Sequence, residues 1–345
     1  MQREGVFVIR ADAGPLVGSG HATRCRAIAE VAVTRGERAV FVASDSGLKE
    51  FLGRDWEVIV LPGNTRGLGA SDGASLASLC SQLGAHTLLV DSYGVSGPFF
   101  SALGKSGSGC LRIAYVDDQF SFARGPLDTP DRWPVDCVIN YTMYADADSY
   151  QAVYASTATQ LLLGPQWTPL NPRLATACQH MPNEPLRDVL VTTGSTNPNF
   201  TLERMAEACV AAVSKLGLRD VSIHVVVGAL SDYVGPRGGN VNVHQGLNDL
   251  TPLMERCQAA VSAAGTTLYE LGALGVATCA VAMVDNQRKN LAGFAERDCV
   301  LDGGVLGQQV ERLLGDAACR EGLVRRCSGL IPCDGAARLV EALEG

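Results

Sequence analysis

The sequence predicts an α/β protein of two domains, each a parallel sheet covered by helices. Three observations carry that expectation. The chain has 345 residues, more than one hydrophobic core usually organises at roughly 150 residues per domain. Short β-branched runs alternate with longer helical stretches, as crossover helices between parallel strands require. The alternation stops in an aperiodic segment and then begins again.

In the first series the expected strands cover residues 6–10, 38–42, 57–61, 87–91, 111–116 and 138–140, with helices over 21–35, 73–83 and 98–105. The strands are continuous apolar runs, the pattern of a sheet buried on both faces. Residues 119–136 are rich in Pro, Asp and Arg and read as a loop. Residues 164–182 show no period and read as a linker, which puts the boundary between 163 and 187 and the domains at 1–170 and 171–345. The second series has strands at 188–192, 221–227, 241–243, 259–262 and 278–283, with helices over 202–215, 266–274 and 287–295. A final helical stretch, 307–343, is long enough to pack across both domains.

Composition narrows the function classes. Apolar content of 47% and charge of 19% describe an ordinary globular chain. No run reaches the roughly 18 apolar residues of a membrane helix, and Gly5 leads directly into a strand-like VFVIR, so a cytoplasmic protein without membrane insertion is expected. The net charge of −8 is spread along the chain with no Lys/Arg stripe, which argues against a nucleic-acid partner while allowing a local basic pocket. The twelve cysteines contain no Cys-x-x-Cys pair and read as small buried hydrophobes of a reducing compartment. No metal and no cofactor are called for, and the oligomeric state is left open.

Two segments carry the candidate chemistry. In VIRADAGPLVGSGHATRC, residues 8–25, a strand ends at Arg10, a loop holds Gly14, Gly18 and Gly20, and an Ala-rich helix starts at His21. A strand, glycine loop and helix N-terminus favour an anion or developing negative charge, although structural turns give the same pattern. The loop lacks the Lys-Ser/Thr of a P-loop and the dinucleotide fingerprint. The positive helix end disfavours imidazolium, so His21 is expected to be neutral and able to take a proton from water; packing is the competing role. In the second segment, residues 260–294, Ser262, Ala264, Gly265, Thr266 and Thr267 form a small-residue turn opening a helix that carries Glu270. Small side chains let backbone approach a phosphate, and Glu270 suits a ribose diol, while packing explains the composition equally. Asn286 and Gln287 then cap the next helix at the carboxyl ends of the strands.

These two segments, in this order and separation, resemble the inverting UDP-sugar hydrolases of pseudaminic acid biosynthesis, which are related to MurG-type glycosyltransferases. Ile9-Arg10-Ala11-Asp12, Gly18-Ser19-Gly20-His21 and Arg24-Cys25 carry the first match. VDSYG at 90–94, YVDDQ at 115–119, Asn140, LLGPQW at 162–167 and TGSTNPN at 193–199 extend it to roughly residues 6–300. The resemblance implies a GT-B-like fold of two Rossmann-like domains facing across a cleft, with a nucleotide-sugar substrate. His21 matches the catalytic histidine, Asn286 and Tyr93 match positions facing the sugar, and Gly265, Thr266 and Glu270 fall where diphosphate and ribose bind. Where the family usually has a double glycine followed by Ser and Asp, this chain has Thr193-Gly194-Ser195-Thr196, so Gly194 and Ser195 meet the substrate without that carboxylate.

The expected reaction is attack of water on the anomeric carbon with His21 taking its proton. Asp12 is the expected orienter of His21, with a turn-capping role as the alternative, and Arg10 and Arg24 are candidates for phosphate or carboxylate partners. Tyr93 and Asp118 are hydrogen-bonding candidates. A MurG-type glycosyltransferase would use the same pocket with an acceptor hydroxyl in place of water, although the first half lacks the apolar and basic patch such enzymes use at a membrane. A sugar-nucleotide sensor is a non-enzymatic alternative.

Overall fold

The computed structural model describes residues 5–14, 19–61, 63, 67–106, 111–119, 132–177, 179–228, 231–247 and 249–344, with the side chains of residues 105, 106 and 286 left out. Its chain divides into two compact units: unit 1 comprises Met1–Pro172 and Asp334–Gly345, and unit 2 comprises Arg173–Cys333.

Unit 1 holds a seven-stranded parallel sheet. Its strands are β1 (Val6–Ala11), β2 (Arg38–Ala43), β3 (Glu57–Val60), β4 (Ala85–Asp91), β5 (Arg112–Val116), β6 (Cys137–Asn140) and β7 (Gln160–Leu163), in the order β3-β2-β1-β4-β5-β6-β7. Strand order reverses between β1 and β4, where Ala11 pairs with Asp91. That switch point leaves a crevice at the carboxyl ends of the strands, the usual place for a ligand in an open α/β sheet.

Side-chain alternation decides which helix covers which face. Val6 and Val8 of β1, Val40 and Val42 of β2 and Leu88 and Val90 of β4 pack against α3 (Ala70–Leu83) and α4 (Gly97–Ser106). Phe7, Ile9 and Ala11 are fully buried on the opposite face, beneath α1 (Gly20–Thr34). Two further helices, α2 (Gly47–Leu52) and α5 (Ala147–Tyr154), and the strand β7 fall in stretches that the sequence pattern leaves as loops. Each has eight residues or fewer, too short for a period to declare itself, and α5 is announced only by its cap, Asp146 accepting from the Ser149 N–H.

Unit 2 repeats the architecture with six parallel strands. These are β8 (Asp188–Thr192), β9 (Ser222–Val227), β10 (Val241–Gln245), β11 (Ala259–Ala263), β12 (Ala277–Val281) and β13 (Leu301–Asp302), in the order β10-β9-β8-β11-β12-β13. The reversal here lies between β8 and β11, so the turns after those two strands share its carboxyl edge. The helices are α6 (Thr201–Leu216), α7 (Thr251–Met254), α8 (Thr267–Ala273), α9 (Asp285–Ala295), α10 (Leu306–Gly315) and α11 (Ala317–Cys327).

The expected stretch 307–343 is therefore three helices, α10, α11 and α12 (Gly335–Glu344). The last of them corrects the division at 171–345, because Asp334–Gly345 belongs to unit 1. Ala336, Leu339, Val340 and Leu343 recur at helical spacing and are all buried, and α12 packs on α1 and on the 3-10 turn Pro165–Trp167. Gly335 makes the close approach possible: a Cβ there would sit 2.1 Å from the Thr168 carbonyl oxygen. Among the described residues no helix is long and apolar enough to cross a membrane.

Candidate active site

His21 is the second residue of α1, whose N-cap, Ser19, makes no side-chain cap bond. The helix lies over the switch point, and the ring is 3% exposed. Its Nδ1 is 2.6 Å from Asp91 Oδ1, at the end of β4. Arg24 Nη2 lies 3.0 Å from the same Nδ1; the tautomer protonated on Nδ1 donates to the Asp91 carboxylate and leaves the Nε2 lone pair free. Among the described residues Nε2 has no hydrogen-bond partner.

Asp91 is the hub of this arrangement. Besides His21 it accepts from Arg24 Nη2 on Oδ1, from Arg24 Nε at 2.6 Å on Oδ2, and from the Cys25 thiol at 3.3 Å on Oδ2. Complete burial pushes its carboxyl upward, but the Arg24 guanidinium and the His21 ring outweigh that and hold it well below the usual carboxylate range. Asp91 is thus an anion at any working pH. Arg24 extends the network: Nη1 donates to Asp118 Oδ2 at 2.7 Å and to the Tyr141 hydroxyl at 2.7 Å. Burial pulls the Arg24 guanidinium down, while Asp118 and Asp91 more than reverse it.

Tyr93 stands over the pair. Its ring meets that of His21 edge-on, with centroids 4.4 Å apart at 73°, and its hydroxyl donates to Asp118 Oδ2 at 3.1 Å. The residue as a whole is 43% exposed, but desolvation of the hydroxyl beside Asp118, with that carboxylate's charge, pushes it above its ordinary value, so it stays a donor. The structure therefore brings His21 and Tyr93 together, and adds Arg24 and Asp118.

Asp12 does not join them. Its Oδ1 accepts from the Ser44 N–H at 2.9 Å and its Oδ2 lies 2.8 Å from Arg10 Nη2, so it fills the orienting role expected beside His21 for a different residue, Arg10. Alternation gives the reason: Arg10 lies in the row of Val6 and Val8, facing α3, whereas Asp91 lies in the row facing α1. Asp91 belongs to the VDSYG stretch, yet the sequence alone assigns it no role. The signal that marks it is a carboxylate ending a buried strand with the parity of the α1 face.

In unit 2 the turn after β11 runs through Ala264, Gly265 and Thr266 into Thr267. Asn290 pins it, Nδ2 donating to the Ala264 carbonyl at 2.8 Å while its Oδ1 accepts from the Tyr269 hydroxyl at 2.5 Å. The Gly265 and Thr266 N–H groups meet no backbone carbonyl among the described residues. Gln287 lies against this turn, 3.6 Å from where a Gly265 Cβ would be, and its Oε1 accepts from the Met283 N–H at 2.9 Å. Beside it the turn after β8 places Gly194 at a φ of +82°, a conformation that suits glycine, and Gly228 packs directly on it. The Thr193 hydroxyl is buried without a partner among the described residues. Glu270 is half-buried one turn into α8; desolvation, reinforced by the Asp249 charge, pushes its carboxyl up to about 7. The Asn286 side chain and Gly18 lie outside the described residues, and Gly20 is the first residue of α1.

Solved structures share this architecture. The crystal structure of MurG from Acinetobacter baumannii superposes with a TM-score of 0.63 at 16% identity, covering 99% of each chain. The fold is GT-B. The spinosyn rhamnosyltransferase SpnG, complexed with thymidine diphosphate, superposes with a TM-score of 0.60 at 16% identity over 99% of this chain and 100% of its own. In sequence the chain is similar to the spore coat polysaccharide biosynthesis protein SpsG of Bacillus subtilis (strain 168), 27% identical over 182 residues, or 51% of this chain. The match spans about half the length of that relative, 52%. No family model matches the chain.

Proposed function

We propose that this protein hydrolyses a nucleotide-linked sugar, a uridine or cytidine derivative, at the anomeric carbon. The observation that supports the reading is the buried His21–Asp91 pair, in which an ionised carboxylate on Nδ1 would leave Nε2 to act as the base. Water would lose a proton to Nε2 as its oxygen bonds to the anomeric carbon, and the bond from that carbon to the phosphate oxygen would break with inversion, its electron pair leaving with the nucleotide. Asp91 stabilises the imidazolium so formed, as the carboxylate does in other histidine-based hydrolases. The N–H groups of Gly265, Thr266 and Thr267 would meet the growing phosphate charge, with Gly194 and Ser195 beside them and Glu270 on the ribose. The similarity to a polysaccharide biosynthesis protein and the GT-B fold both support a sugar-nucleotide substrate.

The test is nucleotide release from a panel of UDP- and CMP-linked sugars by the parent and by His21→Ala. We expect His21→Ala to keep the fold and the nucleotide affinity and to lose most turnover. Near-normal release by that variant sinks the proposal, and turnover that requires an added sugar or lipid acceptor replaces hydrolysis with transfer by the same residues.

A further inference from the structure

Unit 2 holds a pair of cysteines whose thiols meet. The chain after α9 bends at Asp298, which takes a φ of +50°, and Cys299 follows with its N–H donating to the Phe294 carbonyl at 3.0 Å. Arg326, near the end of α11, reaches across: its Nε donates to the Asp298 carbonyl at 2.9 Å. The next residue of each segment, Cys299 and Cys327, is thereby brought beside the other, and the two thiols are hydrogen-bonded. Cys327 also packs under α8, since a Cβ on Gly272 would lie 2.8 Å from its sulfur.

The two sulfurs are electrostatically unequal. Burial pushes the thiols of Cys80, Cys137, Cys257 and Cys279 up to about 12, which makes them inert at neutral pH. Cys299 goes the other way: the hydrogen bond from Cys327, with the charges of Arg297 and Arg326, outweighs burial and holds its thiol below the ordinary value. That same hydrogen bond, with burial, pushes Cys327 well above it. Cys299 is 3% exposed and Cys327 4%, but Arg297 and Asp298 before the first, and Arg326 and Ser328 around the second, are exposed. A local opening of these chain ends is enough to admit a small solute. A thiolate-prone sulfur against a second thiol is the arrangement of an attacking and a resolving cysteine.

We propose that Cys299 and Cys327 are a site of reversible oxidation by a hydroperoxide, Cys299 reacting first and Cys327 closing the disulfide. The Cys299 thiolate attacks one oxygen of hydrogen peroxide, the O–O bond breaks, and the hydroxide released takes up the proton that this thiol gave up. The Cys327 sulfur then bonds to the sulfenic sulfur, and the hydroxyl leaves with the Cys327 proton as water. Two thiols and one peroxide give one disulfide and two waters, and a dithiol reductant restores the pair. The inference goes beyond the hydrolytic reading and does not need His21.

Peptide mapping by mass spectrometry tests this on the full chain, treated with a small excess of hydrogen peroxide, alkylated, and digested with and without dithiothreitol. The expected product is a linked peptide pair holding Cys299 and Cys327 that dithiothreitol separates. In Cys327→Ala, dimedone should trap sulfenic acid on Cys299 at least about tenfold faster than on the four buried cysteines held near 12. Arg326→Gln, at an exposed position, takes a positive charge from beside Cys299 and should slow linkage by about threefold. The linked peptide is read on the parent, so a misfolded Cys327→Ala leaves the test intact. The proposal is overturned if peroxide leaves both residues as thiols, if either bridges to a third cysteine, or if Cys299 reacts no faster than its buried counterparts. Because the readout is a covalent bond, its failure is separate from loss of turnover in His21→Ala.

Discussion

Replacing Asp91 by Asn tests the centre of the site with almost no change of shape. Every lone pair that Asp91 presents is used: Oδ1 receives His21 Nδ1 and Arg24 Nη2, and Oδ2 receives Arg24 Nε and Cys25 Sγ. An amide has one acceptor and one donor, so its NH₂ must face donors on one side. In the place of Oδ1 it donates to His21 Nδ1, moves the ring proton to Nε2, the nitrogen that should take a proton from water, and meets the Arg24 Nη2 N–H as well. In the place of Oδ2 it sets its N–H against the Arg24 Nε–H in a fully buried site. The first outcome costs about 10⁴-fold in kcat in hydrolases with a comparable pair, or about 5.5 kcal/mol. Either orientation removes one partner of the buried Arg24–Asp91 ion pair, worth about 3–5 kcal/mol, which for units of this size is about 10 °C in Tm. Steady-state nucleotide release and thermal unfolding of Asp91→Asn read both quantities. A folded variant turning over within about tenfold of the parent would refute the role given to Asp91.

Four further outcomes follow from the geometry. Glu270, with its carboxyl pushed up to about 7, accepts from a ribose diol best when ionised, so UDP affinity measured by calorimetry should rise as pH climbs from 6 to 8 and Glu270→Gln should flatten the trend; an unchanged pH dependence in Glu270→Gln would remove it from the nucleotide site. The same raised group stabilises the fold below its ordinary value of 4.5 and loses that contribution as pH rises through about 7, so denaturation of the parent should show a decline of at most about 3 kcal/mol across that window that Glu270→Gln lacks. Gly228→Ala would put a Cβ 2.1 Å from the Gly194 carbonyl oxygen, and displacement of the turn after β8 should weaken UDP binding while His21 and its partners, in unit 1, keep their arrangement; full UDP affinity in that variant would show the turn is not a contact. Leu339→Ala empties a fully buried position between α12 and the rest of unit 1 and should cost about 2–5 kcal/mol in chemical denaturation, with amide exchange accelerating in unit 1.

The regular elements are legible in the sequence because they repeat. Strands β1, β2, β8 and β11 lie within a residue of the ends that their apolar runs predict, since runs this short and this rich in β-branched residues, bounded by turn residues, are too short for a helix. The short helix that carries Thr267 and Glu270 is legible on the same grounds. What sequence cannot supply is the partner of His21, because Asp91 lies 70 positions away and becomes a neighbour only once β1 and β4 pair side by side, with Ala11 opposite Asp91. Asp12 is nearer along the chain and of the right type, yet the two-residue pleat turns it to the other side of the sheet. Arg24 shows a different limit. One turn along α1 from His21, it suits a phosphate ligand or a helix-face charge equally well in sequence, and only the converging ends of β4 and β5 reveal that its charge is consumed by Asp91 and Asp118.

The return of α12 to unit 1 makes unit 2 an insertion between two parts of its neighbour. During synthesis the first unit emerges early but lacks its closing segment until the ribosome has finished the second. Its hydrophobic seam along α1 stays uncovered through some 160 residues of further translation, a span on the order of ten seconds or more at about 5–20 residues per second. A chain truncated after Cys333 should therefore leave unit 1 protease-sensitive while unit 2 stays resistant.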